Sequence, residues 1–164
     1  MEFRRLMRRI AGAGAALAAV GTMLIAPASA TAAPDEVSAA SGWVTIRHAS
    51  SRLCLTAAKE GGAFLLGCDG RSDQRWLHFT DGDGVDRFLN DAANACLASN
   101  GETVFLMKDC YTPSGGWRIP GTSPKYVRHA VETTKCLHTN SGGPNKWGFV
   151  INCDEATRWS FIPA

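Results

Sequence analysis

Past its first thirty residues, this 164-residue chain has no hydrophobic run long enough to cross a membrane, no basic cluster and no sustained helical periodicity. The first absence excludes a membrane span from the rest of the chain, since a spanning helix needs roughly 20 apolar residues. The second removes electrostatic support for nucleic-acid or membrane-surface binding. The whole chain carries 17 basic and 15 acidic residues, of which 4 and 1 fall in segment 1–30. That leaves 13 and 14, a net charge of about −1. The third absence points to an all-β protein. Motifs of catalysis are missing as well: there is no Gly-x-Ser-x-Gly, no His-Glu-x-x-His and no phosphate-cradling glycine loop.

What the first thirty residues hold is a leader. Arg4, Arg5, Arg8 and Arg9 precede an uncharged apolar stretch from Ile10 to Ile25, and Ala28-Ser29-Ala30 supplies a small-x-small cleavage pattern. Residues 1–30 are therefore expected to be a signal peptide, and the protein to be secreted into the extracellular space. Residues 31–41 are small and polar and read as a flexible lead-in. The alanine-rich composition suggests a bacterial secretor.

The remaining segment, 42–164, has the length of one domain and contains all six cysteines. An even count behind a signal peptide points to three disulfides. The cysteines follow a repeat. Cys54-Leu55, Cys96-Leu97 and Cys136-Leu137 stand 42 and 40 residues apart. Cys68, Cys110 and Cys153 follow at spacings of 42 and 43, and Trp76, Trp117 and Trp159 at 41 and 42. One period of about 42 residues in three markers defines three units, about 42–80, 81–120 and 121–164. Of the fifteen possible connectivities, the pairing within units (Cys54–Cys68, Cys96–Cys110, Cys136–Cys153) is expected, because it treats the three units alike.

Each unit reads as four short strands separated by turns. In the first they are Val44–Arg47, Leu53–Leu55, Phe64–Leu66 and Trp76–Phe79; the third opens with Tyr126-Val127-Arg128. A propeller needs four or more blades of this size. Three units close instead as a β-trefoil, with one disulfide per four-stranded repeat. Trp76, Trp117 and Trp159 are then its structural core rather than ligand platforms. Trp43, at the domain's entry, is expected to pack.

The Cys-Leu word, the second cysteine and the ending Gln74-Arg75-Trp76 resemble the ricin B-type trefoil repeat over residues 42–164. Gly115-Gly116-Trp117 and Thr157-Arg158-Trp159 keep only the tryptophan of that ending. More loosely, Trp43-Val44-Thr45-Ile46-Arg47 and the closing Arg158-Trp159-Ser160-Phe161-Ile162-Pro163 resemble the ricin-like binding subunits of cytolethal distending toxins. The resemblance implies carbohydrate binding, with a carboxylate two residues after the first cysteine and an aromatic two before the second. Here those positions hold Thr56, Ala98 and His138, and Leu66, Lys108 and Ile151. Every repeat lacks both groups, which removes the main acceptor and the stacking face for a sugar.

The candidate ligand-binding residues are therefore Asp73 and Gln74, on the far wall of the first repeat's site, and Trp147, on the loop Gly142-Gly143-Pro144-Asn145-Lys146. His48, His78, His129 and His138 fall in strands and turns of the repeats, and the architecture explains them. Asp81/Asp83 and Asp154/Glu155 lie in turn-like segments, as solvated carboxylates do. Cysteines 14 to 17 residues apart in a secreted chain do not make a metal site. No cofactor, no metal and no catalysis are expected. The function expected is a lectin-like module for a glycan or other cell-surface ligand. The alternative is a protein-interaction module, either a toxin-delivery subunit or a protease inhibitor, with no sugar binding.

Overall fold

The computed structural model of the protein describes residues 41–140 and 143–164. The expected signal peptide, lead-in positions 31–40 and Ser141-Gly142 of the Trp147 loop lie outside these residues.

Twelve strands follow in order: β1 Gly42–His48, β2 Cys54–Ala57, β3 Ala63–Leu66, β4 Trp76–Thr80, β5 Asp86–Asn90 and β6 Ala95–Ser99; then β7 Val104–Met107, β8 Trp117–Arg118, β9 Arg128–His129, β10 Lys135–Thr139, β11 Gly148–Asn152 and β12 Trp159–Pro163. All pair antiparallel. The run β12-β1-β4-β5-β8-β9 forms the wall of a barrel. It closes where Lys125 and Trp159 exchange backbone hydrogen bonds of 2.8 Å each. The hairpins β2-β3, β6-β7 and β10-β11 form a threefold cap. Three backbone bonds run around it in a ring: Leu106 N–H to Gly61 O, Val150 N–H to Glu102 O, and Leu65 N–H to Lys146 O.

The tryptophans set the threefold register. Each is fully buried, and each indole N–H donates to the carbonyl of the leucine in its own Cys-Leu word. Trp76 reaches Leu55 O at 3.0 Å, Trp117 reaches Leu97 O at 2.9 Å and Trp159 reaches Leu137 O at 3.1 Å. A buried indole needs such an acceptor, so the Cys-Leu word and the tryptophan recur together. Ile46, Leu55, Leu65, Phe88, Leu97, Val127 and Leu137 fill the space between them. The three disulfides are Cys54–Cys68, Cys96–Cys110 and Cys136–Cys153, one per repeat, as the repeat predicts.

The third unit departs from the expected pattern. Its first strand shrinks to Arg128–His129 instead of starting at Tyr126. The preceding segment, Pro120-Gly121-Thr122-Ser123-Pro124, carries two residues without a backbone N–H, and such residues interrupt a ladder.

Candidate functional site

The position two after each first cysteine faces the position two before each tryptophan, and each repeat fills this corner differently. In the first, Gln74 is fully buried in a short 3-10 turn, Ser72–Gln74. Its Nε2 donates to Gly67 O (2.8 Å) and Thr56 Oγ1 (3.2 Å), and its Oε1 accepts from Asp69 N–H (3.0 Å). Gln74 thus clamps the loop after β3 and presents no free face to a ligand. In the third repeat, His138 Nδ1 accepts from the N–H of Thr157 (3.1 Å) and bonds its hydroxyl (2.9 Å).

The second repeat has Ala98 opposite Gly115, leaving no side chain to bridge the corner. Arg87 enters instead. Its Nη1 donates to Cys110 O (2.7 Å) and Thr112 O (2.8 Å), while Nε and Nη2 both reach Asp81 Oδ2 (2.9 and 2.7 Å). A Cβ on Gly115 would lie 2.8 Å from Cys110 O, so the glycine makes room for that carbonyl, the one that Arg87 holds. Burial alone would raise the Asp81 carboxyl, but N–H donation from Val85 and Asp83 and the Arg87 charge outweigh it. Asp81 therefore sits below the usual carboxylate range. Asp81 was expected as a solvated turn residue; it is instead one half of a buried ion pair.

His48, Asn90 and His129 end the first strands of the three repeats and do one job. His48 Nδ1 accepts from Ser51 N–H (3.1 Å), Asn90 Oδ1 from Ala93 N–H (3.0 Å) and His129 Nδ1 from Glu132 N–H (3.0 Å). His48 and His129 also set their rings edge-on to Trp159 and Trp117. Burial lowers the pKa of His48, His129 and His138 below the ordinary histidine value. For His48 the neighbouring His138 adds to the effect, whereas for His129 and His138 nearby carbonyls or carboxylates only partly offset it. His78 Nε2 meets Asp86 Oδ1 at 2.8 Å.

Asp73, next to Gln74, has a different environment. Its Oδ2 lies 3.5 Å from Arg71, but its Oδ1 is shielded from solvent and has no hydrogen-bond partner. Asp73, Arg71 and Ser72 form one wall of a groove of about 420 Å³. Ala57, Ala58 and Lys59 of the first repeat and Ala92-Ala93 of the second form the rest. The groove continues past Ala58, Lys59, Ala92 and Ala93 into a second hollow of about 370 Å³, reaching Gly61, Leu106 and Lys108. The equivalents of Asp73 in the other repeats are Ser114 and Ala156, so this carboxylate is particular to the first.

Trp147 lines neither hollow. It is 52% exposed, packs against Phe64 at 5.5 Å between ring centroids, and lies over Gly62, where a Cβ would come within 2.7 Å of the indole. Of the candidates, the fold therefore joins Asp73 and Gln74 in one turn and leaves Trp147 apart. Trp43 is 40% exposed, with the Arg75 guanidinium 5.8 Å from its ring centre. Sequence reasoning missed Lys59 and the two alanine pairs, which stand at different positions of their repeats: Ala57-Ala58 follow Cys54, whereas Ala92-Ala93 precede Cys96. Among the described residues, no group of three or more His, Cys, Asp and Glu side chains is arranged to hold a metal ion.

Comparison with known families matches the ricin-type beta-trefoil lectin domain over residues 42–160. The chain belongs to this lectin family. No curated protein matched the chain. Among solved structures, a mosquitocidal holotoxin is similar at a TM-score of 0.68 and 14% identity. The match covers 76% of this chain but only 17% of the holotoxin chain. The Rhizoctonia solani agglutinin gives 0.66 and 16% identity, covering 76% of this chain and 96% of that one. The Haemophilus ducreyi cytolethal distending toxin gives 0.63 and 14%, covering 74% and 83%. At such identities these structures share the trefoil with this lectin-family chain, and the likeness extends to the fold alone.

Proposed function

We propose that the protein is a secreted, non-catalytic binding module that takes a glycan in the groove between its first and second repeats. The observation that carries this reading is Asp73: its part-exposed carboxylate lines a groove rich in methyl groups, and its Oδ1 has no hydrogen-bond partner. A carboxylate oxygen out of water gains from a hydroxyl donor, with charge-assisted bonds contributing about 1.5–3 kcal/mol. A sugar offers hydroxyls on one edge and C–H groups on its faces, which suits a carboxylate beside Ala57, Ala58, Ala92 and Ala93. Family membership and the agglutinin fold support the choice of ligand class. With no aromatic platform at Leu66, Lys108 or Ile151, one groove should bind weakly, with Kd on the order of 1 mM.

A glycan array followed by titration of the best hit tests the reading. Asp73→Ala should reduce binding at least about tenfold, while Trp147→Ala leaves it unchanged. A blank array, or a hit indifferent to Asp73→Ala, would overturn it. The second reading is docking to a protein, as in toxin delivery or protease inhibition. The half-exposed Trp147 favours it, and its signature is a partner complex lost in Trp147→Ala with the array blank.

A further inference from the structure

A second polar hollow lies in the third repeat and shares no lining residue with the Asp73 groove. It measures about 500 Å³ and is walled by Arg128, Thr133, Thr134, Asn152, Cys153 and Asp154. Threefold comparison isolates what is unusual about it. Opposite the first cysteine of each repeat, the neighbouring barrel strand places Arg47, Leu89 and Arg128. On its other side that residue faces Ser160, Leu77 and Arg118 respectively. The second repeat's Leu89–Leu77 pair shows that the scaffold needs no charge here. Arg118 and Arg128 are nonetheless directly opposed on adjacent strands, where like charges destabilise a sheet.

Nothing among the described residues relieves them. Neither arginine forms an ion pair. Arg118 makes one long bond, 3.4 Å to Gly84 O. Arg128 Nε is shielded from solvent and donates to no acceptor. A third cation, Lys135, reaches the rim, donating to Asn152 Oδ1 at 3.2 Å. Asp154 is the single carboxylate on the wall, and it lies beyond ion-pair distance of Arg128. Arg128 on the wall with two threonines, its cross-strand neighbour Arg118 and the Lys135 ammonium at Asn152 bring positive charge and hydroxyls to one hollow, which suits a tetrahedral or planar anion.

We propose that this hollow is an oxyanion site, binding the sulfate, phosphate or carboxylate group of a ligand through Arg128, with Arg118 supplying the second charge. Thr133 and Thr134 offer hydroxyls to the remaining oxygens. The site is independent of the Asp73 groove, so either can fail without the other.

The test is an NMR titration following the arginine Nε–H signals and the Thr133 and Thr134 amides. Sodium sulfate, phosphate and acetate are each compared with sodium chloride at equal ionic strength. A saturable shift of Arg128 Nε–H with an oxyanion but not with chloride is expected. Arg128→Gln should abolish the accompanying Thr133 and Thr134 amide shifts, and Arg118→Gln should weaken the binding about tenfold. Asp154→Asn should tighten it by removing the competing carboxylate. The double variant R118L/R128L, which copies the second repeat's leucine pair, should fold and not bind. Repeating the titration with a sulfated and a uronate-containing disaccharide tells which group the natural ligand carries. Shifts that follow chloride equally, or Thr133 and Thr134 amide shifts that persist in Arg128→Gln, would overturn the proposal. So would a solution ion pair between Arg128 and Asp154 whose loss in Asp154→Asn destabilises the protein.

Discussion

Replacing Arg87 with alanine should cost about 3 kcal/mol of stability. The guanidinium is 6% exposed and makes four hydrogen bonds, two to Asp81 and two to the carbonyls of Cys110 and Thr112. Removing one partner of a buried ion pair costs roughly 3–5 kcal/mol, because the other charge is left uncompensated. The lower end applies here, since Asp81 keeps N–H bonds from Asp83 and Val85 at 3.0 Å each. For a domain of this size each kcal/mol lowers Tm by about 3–5 °C, so the expected fall is about 10–15 °C. Calorimetry or circular dichroism of the oxidised protein reads it directly. The double variant R87A/D81A should lose clearly less than the sum of the single losses, because the two side chains act on each other. A loss under about 1 kcal/mol in R87A, or simple additivity in the pair, would refute the view that Arg87 replaces the missing glutamine of the second repeat.

Three further outcomes follow from the same geometry. Gln74→Ala should cost about 2–3 kcal/mol by leaving Asp69 N–H, Gly67 O and Thr56 Oγ1 without their shared partner, measurable by denaturant titration. The histidines should make the fold acid-sensitive. His48, His129 and His138 have lowered folded pKa values, so their stabilisation is complete above the unfolded value of about 6.5 and is lost as pH falls from there through the folded values. Protonating Nδ1 also turns an acceptor of a backbone N–H into a second donor. Tm should therefore fall between pH 7 and pH 5, and His48→Asn with His129→Asn should flatten that slope, since Asn90 already performs the task in the second repeat. Reduction should be severe. Loops of 14, 14 and 17 residues each contribute about 3 kcal/mol in the chain-entropy account, and an unchanged Tm in reductant would contradict it.

The parts of the fold that could be read from sequence are those fixed by short, recurring words. Cys-Leu and Trp repeat because one hydrogen bond, indole N–H to leucine carbonyl, ties them together in all three units. The disulfides follow from the same register. What could not be read are the arrangements in which the repeats differ. Arg87 gives no sign of its role, because the carbonyls it holds, those of Cys110 and Thr112, lie 23 and 25 residues along the chain. The equivalence of Asn90 with His48 and His129 is hidden by unlike residue types that share only an acceptor atom and its placement. The Asp73 groove is built from two repeats at once, so no single unit's pattern predicts it. The shortened β9 is different: Pro120 and Pro124 were visible, but their effect on the ladder depended on which neighbours they faced.

These differences bear on what the lost family motif means. If the Gln-x-Trp glutamine existed to hold sugar, its absence from the second and third repeats would leave an empty corner there. Instead Arg87, paired with Asp81, holds the Cys110 and Thr112 carbonyls ahead of Trp117, and His138 holds Thr157 ahead of Trp159. Gln74 does so in the first, from full burial. Three unrelated chemistries that each hold the chain ahead of a core tryptophan imply a constraint set by the fold, which must anchor the turn that delivers each tryptophan to the core. Ligand binding imposes no such uniform demand. Among the described residues the shielded side-chain atoms without partners are Asp73 Oδ1, Arg128 Nε, His129 Nε2 and Thr139 Oγ1, and of these residues Asp73 and Arg128 line hollows. In a threefold scaffold, the position that every repeat satisfies by some means is structural, and the residue that leaves a polar group unsatisfied on the wall of a hollow is where recognition is to be sought.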